Sequence, residues 1–207
     1  MCLIVHKPAG QPIPEELIRA ALELNRDGWG AMGFDGRGQL LLERQLEPDA
    51  AAILAFERRH RDHEYVLHLR RRTKGGGGLD NVHPFRVVPG VYLMHNGTLP
   101  LEPKQAGRSD TWHLVAEILR PLALRHEALL SDPAFLQLLE LGLKAENKLA
   151  LLHEASREIV LVNWQHGAEL DGLWLSSTRW IDRQRFPLAH APQPQERVYS
   201  TRDLNFL

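Results

Sequence analysis

Cysteine is almost missing from this chain of 207 residues: Cys2 is the only one. A single cysteine excludes an intramolecular disulfide framework and fits a reducing compartment. No apolar run approaches the ~18 residues of a bilayer-spanning helix. The N-terminus has no long apolar segment with a cationic flank, so no signal peptide is read there. An excess of one charge is also lacking. Lys and Arg number 25 against 26 Asp and Glu, a formal net charge of −1. That gives no global pull toward nucleic acid or an anionic membrane. No internal repeat is evident. What remains is ordinary: 43% hydrophobic and 25% charged residues, enough for one substantial core or two small ones. These absences predict a cytoplasmic protein with neither nucleic acid nor membrane as partner.

Cys2 stands behind the initiator methionine and leads a short apolar run, Leu3-Ile4-Val5. Methionine removal is expected before a small second residue and would leave Cys2 with a free α-amine, whose reference pKa is ~7.7–8.0. A thiol is a strong nucleophile near neutral pH, and an adjacent amine can act as its base. One residue would then supply both nucleophile and proton acceptor. The structural alternative is an ordinary buried cysteine in an edge strand.

Along the chain, residues 2–5 read as a strand, and 6–14 as a loop broken by Pro8, Gly10, Pro12 and Pro14. Pro14-Glu15-Glu16 opens a helix with Leu17, Ile18, Ala21, Leu22 and Leu24 on its apolar face. Asn25-Arg26-Asp27-Gly28-Trp29-Gly30 suggests a tight turn into a strand, or a pocket lined by backbone amides. Residues 29–34 and 39–43, joined by Asp35-Gly36-Arg37-Gly38, form a plausible hairpin. Asp49 can cap a helix over 50–59. Residues 65–69 read as a strand ending in the basic knot Arg70-Arg71-Arg72-Thr73-Lys74 and then Gly75 to Gly78. Strand alternation puts Arg70 and Arg71 on opposite faces, which argues against a flat phosphate-binding patch. The glycine order is not that of a P-loop. The four glycines imply a mobile segment, either a bland loop or a closing lid. His60, His63 and His68 lack the spacing of a metal site, so neither metal nor cofactor is expected.

Residues 91–94 run into His95-Asn96-Gly97. The Asn96 side-chain N–H and the Gly97 backbone N–H are two donors of the kind an oxyanion needs. Asn-Gly is also a common turn dipeptide. Ser109-Asp110-Thr111 can cap a helix from 112 to 119, with Asp110 simply the cap. Pro121 interrupts that helix, and further helical stretches cover 122–130 and 134–141. Strands are read at 148–153, 158–163 and 172–176. Residues 178–207 form a polar, proline-punctuated extension, wrapped on the preceding domain of residues 1–177 or partly mobile.

Taken together these motifs resemble the class II glutamine amidotransferase domain, of N-terminal-nucleophile (Ntn) hydrolase type. The resemblance is carried by Cys2, Asp27-Gly28-Trp29-Gly30, the run His68 to Gly75, Asn81-Val82-His83-Pro84, His95-Asn96-Gly97 and Ser109-Asp110-Thr111, in the family's order. It implies an α+β fold: a four-layer αββα sandwich with two stacked antiparallel sheets. It also implies roles. Cys2 would attack the side-chain amide of glutamine, with its own α-amine as base. Asn96 and Gly97 would hold the oxyanion. Arg70 would pair with the substrate α-carboxylate and Asp110 with its α-ammonium, while Gly28 and Thr73 would shape the pocket.

Three features depart from the family pattern: Lys74 where histidine is frequent, Trp112 where an acidic residue is frequent, and the run Gly75 to Gly78. They leave the substrate open between glutamine and another γ-glutamyl compound. The resemblance takes up most of the length, so released ammonia is expected to pass to a separate ammonia-accepting synthase subunit or to solvent. A third reading is a non-catalytic partner subunit that keeps the fold.

Overall fold

The computed structural model describes residues 2–179, 182 and 184–186. Among these residues, ten strands form two antiparallel sheets. The first contains β1 (Leu3–Lys7), β2 (Trp29–Phe34), β3 (Leu40–Gln45), β4 (Tyr65–Leu69), β9 (Ala168–Leu170) and β10 (Leu173–Leu175), ordered β3-β2-β4-β1-β10-β9. The second contains β5 (Phe85–Val88), β6 (Val91–Asn96), β7 (Lys148–His153) and β8 (Glu158–Val162), in chain order. Helices α1 (Glu15–Leu22) and α2 (Ala50–Arg59) precede β2 and β4, while α3 (Asp110–His113), α4 (Arg120–Ala123) and α5 (Pro133–Leu143) follow β6.

Strand alternation sorts the side chains into three apolar layers. Leu3, Val5, Leu67 and Leu69 face one way and pack with Leu17, Ile18 and Ala21 of α1 and Ile53 and Leu54 of α2. Ile4, Met32 and Val66 face the other way and meet Met94, Ala150 and Leu152 of the second sheet. Leu93, Leu149 and Leu151 turn outward onto Leu114, Val115, Leu119, Leu136 and Leu143. Each fully buried aliphatic side chain contributes roughly 1.5–3 kcal/mol, so period-two patterning on both sheets drives the stack. The result is the four-layer αββα sandwich that the resemblance implies.

Several local expectations needed correction. The first strand runs to Lys7, because His6 and Lys7 pair with Val66 and Tyr65 of β4. Lys7 is buried, and its ammonium donates to the carbonyls of Pro8, Arg61 and His63. The second hairpin arm runs from Leu40 to Gln45. A helical path survives Pro121: α3 passes through a π-helical turn at Leu114–Leu119 into α4. Proline cannot donate to the fourth carbonyl before it, and a widened turn is one way to absorb that loss. The helix read over 122–130 ends instead at Ala123, with a short 3-10 turn at Leu129–Ser131. Strand β9 was not foreseen. It pairs with β10 in a tight hairpin, and its three residues are too short to show a period.

Capping followed local chemistry. Asp49 accepts from the N–H groups of Ala51 and Ala52, and Asp132 from Phe135. Of the extension from residue 178, Phe186 packs into the core under α1. The rest, apart from 178, 179, 182, 184 and 185, lies outside the described residues. Among the described residues no helix is long and apolar enough to cross a membrane.

Candidate active site

Register alone gathers the sequence-predicted residues at one end of the sandwich. Leu3 opposes Leu69, and Leu69 opposes Trp29. Cys2, Arg70 and Gly28, one residue beyond each, are therefore neighbours across three strands. By strand parity Cys2 goes with Ile4, Arg70 with Val66 and His68, and Asn96 with Met94, so all three belong to the face between the sheets. Ser176 follows β10, and its N–H donates to the Ile4 carbonyl.

The Cys2 thiol is half-buried and sits on the chain just past β4. Its Sγ lies 3.3 Å from the Arg71 carbonyl and accepts from the Arg71 N–H at 3.4 Å. Burial pushes the thiol above its ordinary range; the Arg71 N–H and the Arg70 guanidinium oppose that shift, and Asp110 adds to it. The Arg70 cation and the Asp110 anion thus bear on the sulfur with opposite sign.

Arg70 is 3% exposed. Its guanidinium donates to the Gly76 carbonyl at 2.9 Å and the Asp27 carbonyl at 3.3 Å. A guanidinium carries five N–H donors, so part of the fork is left for a ligand. Arg71 is exposed. The alternation read from sequence therefore holds for this pair. Asp27 also accepts from Arg72 N–H at 2.8 Å and donates its own N–H to the Arg70 carbonyl at 3.0 Å, clamping the chain as it leaves β4.

Asn96 ends β6 and is buried. Its Nδ2 donates to Ser176 Oγ at 2.8 Å, and the same Oγ accepts from the Ile4 N–H at 2.8 Å. Ser176 thereby ties the amide of Asn96 to the strand that carries Cys2. The second N–H of that amide remains for a ligand. Gly97 has φ +151, and a Cβ there would strike the side chain of Asn147. Its N–H makes no hydrogen bond among the described residues.

Gly28, with φ +130, passes so close to Gln45 O and Val82 Cγ2 that a Cβ would come within 2.9 Å of each. Its carbonyl accepts from Arg70 N–H at 2.8 Å. Thr73 is exposed on the segment after β4, and no hydrogen bond or ion pair holds it among the described residues.

The helix cap before α3 is Ser109, whose Oγ accepts from Trp112 N–H at 3.1 Å. Asp110 is the first helical residue, and its carboxylate takes the N–H groups of Leu99 at 2.7 Å and Thr111 at 2.9 Å. The glycine segment, expected to be mobile, is fastened in its first half. Gly76 N–H donates to Gly107 O at 2.8 Å, and Lys74 Nζ donates to Leu99 O at 2.8 Å. The amide of Asn81 donates to the carbonyls of Gly76 and Gly107 and accepts from Ser109 N–H. Gly75 packs so tightly on Ser109 that a Cβ would approach its nitrogen to 2.7 Å.

Sequence reasoning assigned no role to Ser176, Asn81, Asp27 or Asn147. Asp27 and Asn81 lay inside the quoted motifs, which was the only signal available. Below the site, His95 Nε2 donates to Asn147 Oδ1 at 3.0 Å and its Nδ1 accepts from Thr111 at 2.8 Å. His68 donates to the His95 carbonyl at 3.2 Å, and its ring packs against His83 in a tilted contact with centroids 4.1 Å apart. Burial holds His68 down to about 3, His83 well below the usual range, and His95 below it also. His60 and His63 lie apart from this group, with their Nδ1 atoms 3.4 Å from each other.

Comparison with known proteins identifies the family. The family model described as "Glutamine amidotransferases class-II" matches residues 17–151; Cys2 lies ahead of the matched span. Among solved structures, the glutamine phosphoribosylpyrophosphate amidotransferase from B. subtilis, complexed with ADP and GMP, superposes with a TM-score of 0.52 at 14% identity. The alignment covers 91% of this chain but only 44% of that enzyme. A glutamine aminotransferase class-II domain protein from Silicibacter pomeroyi gives a TM-score of 0.39 at 17% identity, covering 74% of this chain and 73% of that one. No curated protein matches the sequence. With a family model spanning residues 17–151 and the same double-sheet sandwich around its motifs, this chain belongs to the class II glutamine amidotransferases.

Proposed function

We propose that this protein hydrolyses the side-chain amide of glutamine to glutamate and ammonia through a thioester on Cys2. The observation that carries the reading is that strand register sets the half-buried Cys2 thiol beside Arg70 and Gly28, with Arg70 and Asp110 as the opposite charges that bear on it. An amino-acid amide presents one carboxylate, one ammonium and one carbonyl, and those three groups match what surrounds the thiol.

In the proposed sequence, removal of Met1 frees the Cys2 α-amine. The amine takes the thiol proton, and Sγ attacks the amide carbon. The oxygen that becomes negative is held by the second Asn96 N–H and the Gly97 N–H. The protonated amine returns its proton to the departing nitrogen, ammonia leaves, and water then releases glutamate from the thioester. Arg70 is the α-carboxylate clamp, because a guanidinium fork matches two carboxylate oxygens. Asp110, held by two backbone N–H groups, accepts the α-ammonium. Gly28 and the backbone beside Thr73 form the pocket wall. The ammonia goes to a separate acceptor subunit or to solvent.

The test pairs intact mass with glutamate release from glutamine. Protein lacking Met1 should turn over, whereas Met1-retaining protein of equal circular dichroism and a Cys2→Ala variant should not. Equal rates with and without Met1 would rule out the N-terminal mechanism. Cleavage of larger γ-glutamyl amides but not of glutamine would reassign the leaving amine and keep the nucleophile.

A further inference from the structure

Lys148 is a buried cation that the proposed chemistry leaves unused. It opens β7 opposite Asn96, and strand parity puts it with Ala150 and Leu152 on the face between the sheets. It is 9% exposed, and no hydrogen bond or ion pair holds its ammonium among the described residues. A lysine at a sheet end normally extends its head into water, and a buried charge is normally paired. Lys148 instead lines a cavity of about 200 Å³ together with Ser176, Ser177, Thr178, Arg179 and Glu146. Burial, and then the Arg179 charge, hold its pKa below the ordinary lysine range, with Glu146 opposing them.

Two cations against one carboxylate leave the cavity with an excess positive charge. Cys2, Arg70 and Asp110 do not line it, so this cavity is distinct from the thiol's surroundings. Ser176 is the wall between the two, since its Oγ carries Asn96. We propose that the cavity binds a small phosphate-class oxyanion between the Lys148 ammonium and the Arg179 guanidinium. Phosphate suits it better than carboxylate. The cations come from two different segments, and a tetrahedral ion offers acceptor oxygens in both directions, whereas a carboxylate offers two in one plane. A lysine head also serves phosphate well as a point charge.

The experiment is calorimetric titration of the whole chain with inorganic phosphate, methyl phosphate and acetate at constant ionic strength, with melting temperatures in parallel. Saturable phosphate binding is expected, with acetate weaker. Methyl phosphate binding as well as phosphate would indicate an esterified ligand; its exclusion would indicate the free ion. Lys148→Met should weaken phosphate binding by about tenfold or more. Its melting temperature should also gain less from added phosphate than that of wild type. Arg179→Ala, at an exposed position, should weaken binding with an unchanged melting temperature, and it carries the test if the Lys148 variant fails to fold. The proposal is overturned if wild type shows no saturable binding, or if the variants bind phosphate as tightly as wild type. None of these readouts depends on glutamine cleavage.

Discussion

Arg70 and Arg71 are adjacent and chemically identical, yet one is buried against the site and the other is in solvent. Period-two geometry at the end of β4 decides which is which. Under the proposed function, Arg70→Ala removes a charge-assisted hydrogen bond worth roughly 1.5–3 kcal/mol. At ~1.4 kcal/mol per tenfold, kcat/KM for glutamine should fall by about tenfold to a few hundredfold. Arg71→Ala should do far less. Arg70 also ties the carbonyls of Gly76 and Asp27, so rate alone would not separate clamp from scaffold. An analogue lacking the α-carboxylate, 4-aminobutanamide, does separate them. Wild type should prefer glutamine strongly, and Arg70→Ala should lose most of that preference. An Arg70 variant that is slower on both compounds by the same factor would mark a scaffold role alone.

At the scale of elements, the segment between β4 and α3 departs most from its composition. Four consecutive glycines predict freedom, because glycine carries the greatest backbone entropy. Asn81 removes much of that freedom by joining Gly76, Gly107 and Ser109 through one side chain. Asn81→Ala would orphan the Ser109 N–H, while the Gly76 carbonyl keeps Arg70 and the Gly107 carbonyl keeps the Gly76 N–H. A buried polar group left unpaired costs about 1–3 kcal/mol, so the urea midpoint should fall accordingly. Trypsin should cut the variant faster after Arg71, Arg72 or Lys74. Equal cleavage of variant and wild type would show that the segment is held by Lys74 and Arg70 without Asn81.

At the scale of the whole molecule, three histidines buried near the site make stability depend on pH. His68, His83 and His95 all have folded-state pKa values below the unfolded value. The unfolded chain therefore binds more protons than the folded one once pH drops below about 6.5. Stability falls as pH falls from there, and for His68 the fall continues toward about 3. Each histidine contributes a slope of up to about 1.4 kcal/mol per pH unit. Urea midpoints at pH 7, 6 and 5 should show this loss before the carboxylates titrate. Neither ring nitrogen of His83 has a hydrogen-bond partner among the described residues, and its ring packs between His68 and Phe85. His83→Phe should thus shallow the slope by about one proton's worth. An unchanged slope would assign the pH dependence to other groups.

The sequence by itself determined what is local or periodic. The alternation in β1, β4, β6 and β7 set which side chains face the helices and which face the other sheet. Asp49 announced a helix start because an N-cap needs only a side-chain oxygen two or three residues from the orphan N–H groups. The order of short motifs pointed to the family. Tertiary structure decided whatever depends on a partner distant in the chain. His6 and Lys7 are strand because β4 lies beside them. The glycine run is held because Asn81, Gly107 and Leu99 reach it. Ser176 touches Asn96 across 80 residues, and no spacing rule connects them. Lys148, which reads as an ordinary polar strand start, is buried only because two sheets close over it. Local pattern fixes a residue's face, but its partners follow from how the faces meet.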